Sequence, residues 1–183
     1  LAMPVTFDAD WQGARRDPER RTEARLLWSP DTLYVRFICN YRTIDIFPDA
    51  EPSGRRDHLW ERDVAEVFLQ PDQFGTRHYK EFEVSPNGFW IDLDITPGGN
   101  RDLKSGLRRS VSVDELSREW TAVLAIPIAS ITKSFDPTQA WRLNFYRCEA
   151  LDPNRAYLAW QPTRTPQPNF HVPASFGVLH FAD

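Results

Sequence analysis

The chain has 183 residues, of which 41% are hydrophobic and 26% charged, a balance that excludes a disordered or membrane-embedded protein. Its 22 basic and 26 acidic residues give a formal charge of -4 with no basic stripe, so nucleic acid is not expected as a partner. No apolar run approaches the roughly 18–20 residues needed to cross a bilayer, and no membrane span is expected. The length is that of one domain, read here as spanning residues 1–183. The 15 prolines and only 8 glycines, with 7 Trp, 12 Phe and 5 Tyr, give more aromatic surface than a core of this size needs. Leu1-Ala-Met-Pro-Val carries neither the basic start nor the apolar stretch of a secretory signal. Cys39 and Cys148 are not in CxxC spacing, which argues against a zinc ribbon or a thioredoxin motif.

In chain order, the strand signal is alternation. Residues 24–28 and 33–40 flank Ser29-Pro-Asp-Thr, a turn sequence, and predict a hairpin with Leu33, Val35, Phe37 and Cys39 inward and Tyr34, Arg36 and Asn40 outward. Residues 42–57 read as a long loop. Residues 64–69 place Ala65, Val67 and Leu69 inward, against Glu66 and Phe68. Residues 79–84 place Phe82 and Val84 inward and Tyr79, Glu81 and Glu83 outward. After the Pro86-Asn-Gly turn, Phe89, Ile91, Leu93 and Ile95 are predicted inward, with Trp90, Asp92 and Asp94 outward. Residues 96–109 read as a second long loop, and 113–118 as a turn. Further strands are predicted at 120–126, 141–148, 157–161 and 177–181, with a single helical turn at 129–133.

Prolines 30, 71, 86, 97, 127, 153 and 162 fall between these strands, where a missing N–H costs no ladder bond. Nine or more short strands predict an all-β fold, an antiparallel β-sandwich whose core includes Leu143 and Phe145. Cys148 is out of phase with those two residues while Cys39 is in phase with Phe37, so two free thiols are expected.

The outward positions carry the chemistry. Glu66, Tyr79, Glu81, Glu83, Trp90, Asp92, Arg36 and Asn144 would form a polar face with interspersed aromatics. Such a face can be plain solvated sheet surface. It is also the residue set of a sugar platform, because rings cover C–H patches while carboxylates and amides meet hydroxyls. Glu81 and Glu83, two apart on one strand at about 6.5–7 Å, could also act as a catalytic pair. There is no GxSxG, HExxH, phosphate loop or dinucleotide fingerprint, and His58, His78, His171 and His180 are scattered.

Six segments in order resemble the carbohydrate-binding modules of family 9 and their stand-alone relatives. They are Trp28-Ser-Pro-Asp-Thr-Leu-Tyr-Val-Arg-Phe; Leu59-Trp-Glu-Arg-Asp-Val-Ala-Glu-Val-Phe-Leu; Tyr79-Lys-Glu-Phe-Glu-Val-Ser-Pro-Asn-Gly; Trp120 leading to Ala125-Ile-Pro-Ile; Trp141-Arg-Leu-Asn-Phe-Tyr-Arg; and Phe170-His-Val-Pro-Ala-Ser-Phe-Gly-Val-Leu. The resemblance implies an immunoglobulin-like sandwich, related to the DOMON domains, that binds a saccharide or polysaccharide without cutting it. It places Trp60 and Phe170 on the positions of an aromatic clamp and Glu66 on its acidic partner, while strand parity adds Glu81 to the floor, with Glu83, Tyr79 and Asn144 as secondary candidates. Phe170 stands where the family usually has Trp, and Glu81 and Glu83 where it has Arg and Asn. Trp60 also fits a plug for the sandwich end, and Phe170 with Phe176 also fits an anchor for the last strand.

The same resemblance allows calcium on oxygen ligands of Asp-rich loops and implies an extracellular or periplasmic location. Two alternatives stay open: a haem domain of the DOMON type, for which Met3 is the one methionine, and a glycan-processing enzyme using the acidic face.

Overall fold

The computed structural model describes residues 3–71, 77–150 and 155–182, so Pro153 of the proline series lies outside the described residues. Its strands are β1 (Val5–Phe7), β2 (Thr22–Trp28), β3 (Thr32–Asn40), β4 (Val64–Gln70), β5 (Tyr79–Val84), β6 (Trp90–Thr96), β7 (Gly99–Asp102), β8 (Arg108–Asp114), β9 (Glu119–Pro127), β10 (Trp141–Glu149), β11 (Ala156–Ala159) and β12 (Gly177–Leu179). One antiparallel sheet runs β1-β2-β3-β9-β8; the other runs β11-β10-β4-β5-β6-β7, with β12 also paired to β10. The fold is the expected all-β sandwich. The only α-helical turn among the described residues is α1 (Ile128–Ile131), and no described helix is long and apolar enough to cross a membrane.

Alternation builds the interior. Leu33, Val35, Phe37 and Cys39 of β3 face Val67 and Leu69 of β4, Phe82 and Val84 of β5, and Leu143 and Phe145 of β10 in one buried cluster. The β2–β3 hairpin closes as expected, with Ser29 and Thr32 bonded across the turn. At the β5–β6 turn Gly88 sits at φ 82°, a left-handed conformation that suits a residue without a side chain.

Three predictions are corrected. β6 is inverted: Ile91 pairs with Glu83 and Leu93 with Glu81, so its aliphatic side faces away from the sandwich interior, while Trp90 and Asp92 lie on the interior side. Asp92 is fully buried there and accepts the Ser105 N–H at 2.7 Å, so neither it nor Trp90 belongs to the outward face. Arg36 is exposed, but on the other sheet. Residues 96–109 contain β7 and the start of β8, because the β6 hairpin continues its pairing through Thr96 and Gly99.

The larger departure concerns solvation. The outward face of the second sheet is dry: all seven residues of β4 and all six of β5 are buried. Residues 41–63 and 160–176 fold over it and enclose a second cluster that includes Phe47, Leu59, Phe68, Tyr146, Phe170 and Phe176. Cys148 belongs to this cluster and Cys39 to the first, so the two free thiols lie on different faces of the packing.

One sandwich end is closed by charge. Arg147 and Glu149 are both fully buried and paired at 3.2 Å. Arg147 also donates to the Asn40 carbonyl, and Glu149 forms an ion pair with Arg20 at 3.1 Å and accepts from the backbone N–H groups of Arg42 and Thr43. A buried pair of this kind is costly to break because the survivor stays desolvated. Arg147→Ala should therefore cost about 3–5 kcal/mol in denaturant unfolding. Arg16→Ala, at the exposed end of the Arg16–Asp8 bridge, should cost less than about 1 kcal/mol.

Candidate functional site

Among the described residues, a cleft of about 300 Å³ opens over the second sheet, between the two covering segments. Trp60, Phe170, Glu66 and Glu81 all line it, with Arg155, Tyr157, Asn169 and His171. Four residues named from the sequence are thus brought together; Glu83, Tyr79 and Asn144 lie next to the cleft without lining it.

The position of Trp60 follows from local backbone. His58 takes a left-handed conformation at φ 58° and opens the 3-10 turn Leu59–Glu61. The turn sends Leu59 into the second cluster and leaves Trp60 37% exposed. A guanidinium N–H of Arg155 donates to the Trp60 carbonyl, and the His58 ring sits 4.9 Å from the indole. Trp60 is therefore a wall of the cleft and not a plug in the core.

Phe170 is held differently. Its ring stacks on Tyr146 at 4.2 Å and 11°, and the Tyr146 hydroxyl donates to its carbonyl at 2.9 Å. One face is thus occupied by protein. Asn144 is fully buried and donates to the Tyr146 hydroxyl and the Gln161 carbonyl while accepting from the Gln161 N–H, so it fixes the wall from behind. Tyr79 packs on Phe68, and its hydroxyl bonds to Nδ1 of His171 at 2.7 Å. These two positions support the cleft and do not face it.

The floor is acidic. β4–β5 register places Glu66 opposite Glu83, and Glu81 follows two residues before on the same face. One oxygen of each carboxyl lies within 4.8 Å of one from each of the others, and all three residues are buried. Like charges in opposed strand positions repel. Desolvation raises the pKa of all three, well above the ordinary carboxylate value at Glu66 and Glu83, where mutual repulsion adds to it. Arg155 opposes the shift at Glu66 and Glu83, and His171, 3.9 Å from Glu81, opposes it there. The Cys148 thiol donates to Glu66 at 3.7 Å, and burial pushes its own pKa up, keeping it neutral.

Arg155, Tyr157, Asn169 and His171 were not among the residues singled out from the sequence. Tyr157 was legible: it alternates with buried Leu158 on β11 and pairs with Cys148, which puts it on the cleft side. Arg155 and the 160–176 segment carry no periodicity that could reveal them.

Comparison with known proteins agrees with this architecture. Residues 36–181 match the family model for carbohydrate-binding family 9. A relative from Arthroderma benhamiae, designated an extracellular protein, is 25% identical, over 90% of this chain and 80% of its own. A crystal structure from Bacteroides uniformis, provisionally designated a carbohydrate-binding protein, superposes with a TM-score of 0.78 at 19% identity, over 99% of this chain and 87% of its own. A family 9 module from Caldicellulosiruptor kristjanssonii, in complex with cellotriose, superposes at 0.69 with 14% identity, over 97% and 80%. The same designation in complex with glucose gives 0.64 with 14% identity, over 95% and 78%. At these identities the structural likeness shows the fold.

The acidic floor predicts a pH dependence of stability. Folded-state values above the ordinary 4.5 mean that the folded chain binds more protons than the unfolded one above that pH. Asp63, raised from 3.8 to about 6 by burial, acts in the same direction below pH 6. Chelator-treated protein should therefore lose stability as pH rises from about 4.5, with the slope above pH 6 due to the glutamates. Glu83→Gln supplies an amide donor where Glu83 repels, and should raise stability at pH 8 by about 1.5–3 kcal/mol while changing it little at pH 5. Thermal melts across pH 4.5–9 read both effects.

Proposed function

The chain belongs to carbohydrate-binding family 9, and from that premise we propose that residues 1–183 act as one non-catalytic, exported domain that seats a saccharide in the cleft beside Trp60. The observation that carries this is the half-exposed indole of Trp60 sharing one cleft with the carboxyls of Glu66 and Glu81. An indole face covers the C–H side of a pyranose, and carboxyl oxygens accept from its hydroxyls.

The roles divide by exposure. Trp60 is the stacking platform and Phe170, backed by Tyr146, the opposing wall. Glu66 and Glu81 contact hydroxyls, while Glu83, Tyr79 and Asn144 set the charge and position of those groups from beneath and behind. Three carboxyls gathered within 4.8 Å on one floor suit binding better than hydrolysis. A glycosidase sets its two carboxyls on either side of the scissile bond, at least about 5–5.5 Å apart. Family membership and the extracellular designation of the Arthroderma benhamiae relative support an extracellular or periplasmic setting.

Glucose and cellotriose, held by the Caldicellulosiruptor kristjanssonii modules, are the first ligands to test. Calorimetry and tryptophan fluorescence should show weak binding with no release of reducing ends, since few contacts leave little surplus over association costs. Trp60→Ala should weaken binding about ten- to a hundredfold, or ~1–3 kcal/mol, with the melting temperature almost unchanged. Undiminished binding by Trp60→Ala, or its unfolding, would remove the clamp.

A further inference from the structure

The acidic floor holds more negative charge than a sugar contact uses. Glu83 is fully buried, and neither of its oxygens has a hydrogen-bond partner among the described residues. One oxygen of Glu81 is likewise buried without a protein donor. Both groups sit two residues apart on one face of β5, and one oxygen of each lies within 4.8 Å of one from Glu66. Buried carboxylates with unused lone pairs are what a cation takes up, and a proton is only the smallest such cation.

Geometry and charge select the class of ion. Three oxygens within 4.8 Å of one another lie no more than about 2.8 Å from a common centre, close to the calcium–oxygen range of about 2.3–2.6 Å, so a small movement of the side chains lets all three touch one ion. Three carboxylates against the single guanidinium of Arg155 leave two negative charges, which one divalent ion balances. The donors are all oxygen, and the neighbouring Cys148 thiol is held protonated by burial, so the set favours a hard cation over zinc. An ammonium group on a sugar could reach Glu66 and Glu81, which line the cleft, but Glu83 lies below them, within reach of a bare ion only.

We propose that Glu66, Glu81 and Glu83 form a binding site for one hard divalent cation, of the calcium or manganese class, at the floor of the cleft. The loops that the sequence pointed to for calcium contribute nothing to this site; its ligands come from β4 and β5. The ion displaces the protons held by the trio. The groups facing it are Glu66 from β4, Glu81 and Glu83 from β5, Tyr146 and Cys148 from β10, and Arg155, Tyr157 and His171 beside the cleft.

The test needs no sugar, so its outcome and that of the saccharide reading are separable. Chelator-treated protein at pH 7.5 is titrated with Ca²⁺ by calorimetry, and with Tb³⁺ while the tryptophans are excited, Trp60 lying on the same cleft. The expected result is one ion per chain, with a dissociation constant of ~0.1–1 mM for Ca²⁺, as in extracellular calcium modules, and competition between the two ions. Affinity should fall as pH is lowered from 8 to 5.5. Glu83→Gln and Glu81→Gln should each weaken it at least tenfold and abolish the Ca²⁺-induced rise in melting temperature, with circular dichroism checking that both remain folded. Absence of heat and of Tb³⁺ emission up to ~10 mM, equal binding by both variants, or tight Zn²⁺ binding without Ca²⁺ binding would overturn the proposal.

Discussion

Antiparallel sheets commonly leave one face to water, and a carboxylate on that face keeps its hydration at no cost. In this chain the centre of the six-strand path, β10-β4-β5, is covered on both sides, and Glu66, Glu81 and Glu83 are carried into the covered layer. Their desolvation governs what surrounds them. It explains why the three carboxyls hold protons more tightly than exposed ones, why Arg155 and His171 oppose that shift, and why the floor is chemically distinct from the aromatic walls. The aromatic cluster around Phe68, with Tyr79, Tyr146, His171 and Phe176 at 5.0–6.2 Å, is the material that excludes the water.

The same sheet holds charge in two ways. Arg147 and Glu149 of β10 are as deeply buried as Glu83, yet they are matched by each other and by Arg20, Asn40 and backbone amides. That network is structural, and within the pair only Nε of Arg147 is left without a hydrogen-bond partner. The glutamates of β4 and β5 keep lone pairs that no protein group occupies, and they border a cleft. Burial is equal in the two places; satisfaction is not. The contrast separates a part of the fold that holds itself together from a part that is set up to hold something else.

Much of this was written in the local pattern. β3, β4, β5 and β10 alternate strictly enough that each buried interior residue, from Leu33 to Phe145, could be named. Trp60 and Glu66 could be placed near one another through the segment they share with a family motif. Alternation gives the period of a strand, however, and not which side is the interior. In β6 the side bearing Ile91, Leu93 and Ile95 serves the second cluster, while Asp92 takes the interior position because the Ser105 amide meets it there. Arg155 and Asn169 escaped because irregular segments leave no periodic trace, and Phe170 was reached only through the family motif that contains it. That the outward glutamates would be buried could not be read from β5 itself, since their burial is imposed by residues 41–63 and 160–176, outside the strand.

Burial on both faces has a consequence for recognition. Amides of β4, β5 and β10 lie in the centre of a paired sheet with packing above and below, so they should be the slowest in the chain to exchange with solvent. The floor of the cleft is therefore the most rigid layer of the molecule, and its walls come from irregular chain. A ligand resting on such a floor finds its deepest contacts already ordered, and whatever conformational entropy it costs the protein is lost in the walls. Changes in the covering segments could then alter how long a ligand stays, with the carboxyl geometry beneath held constant by the fold.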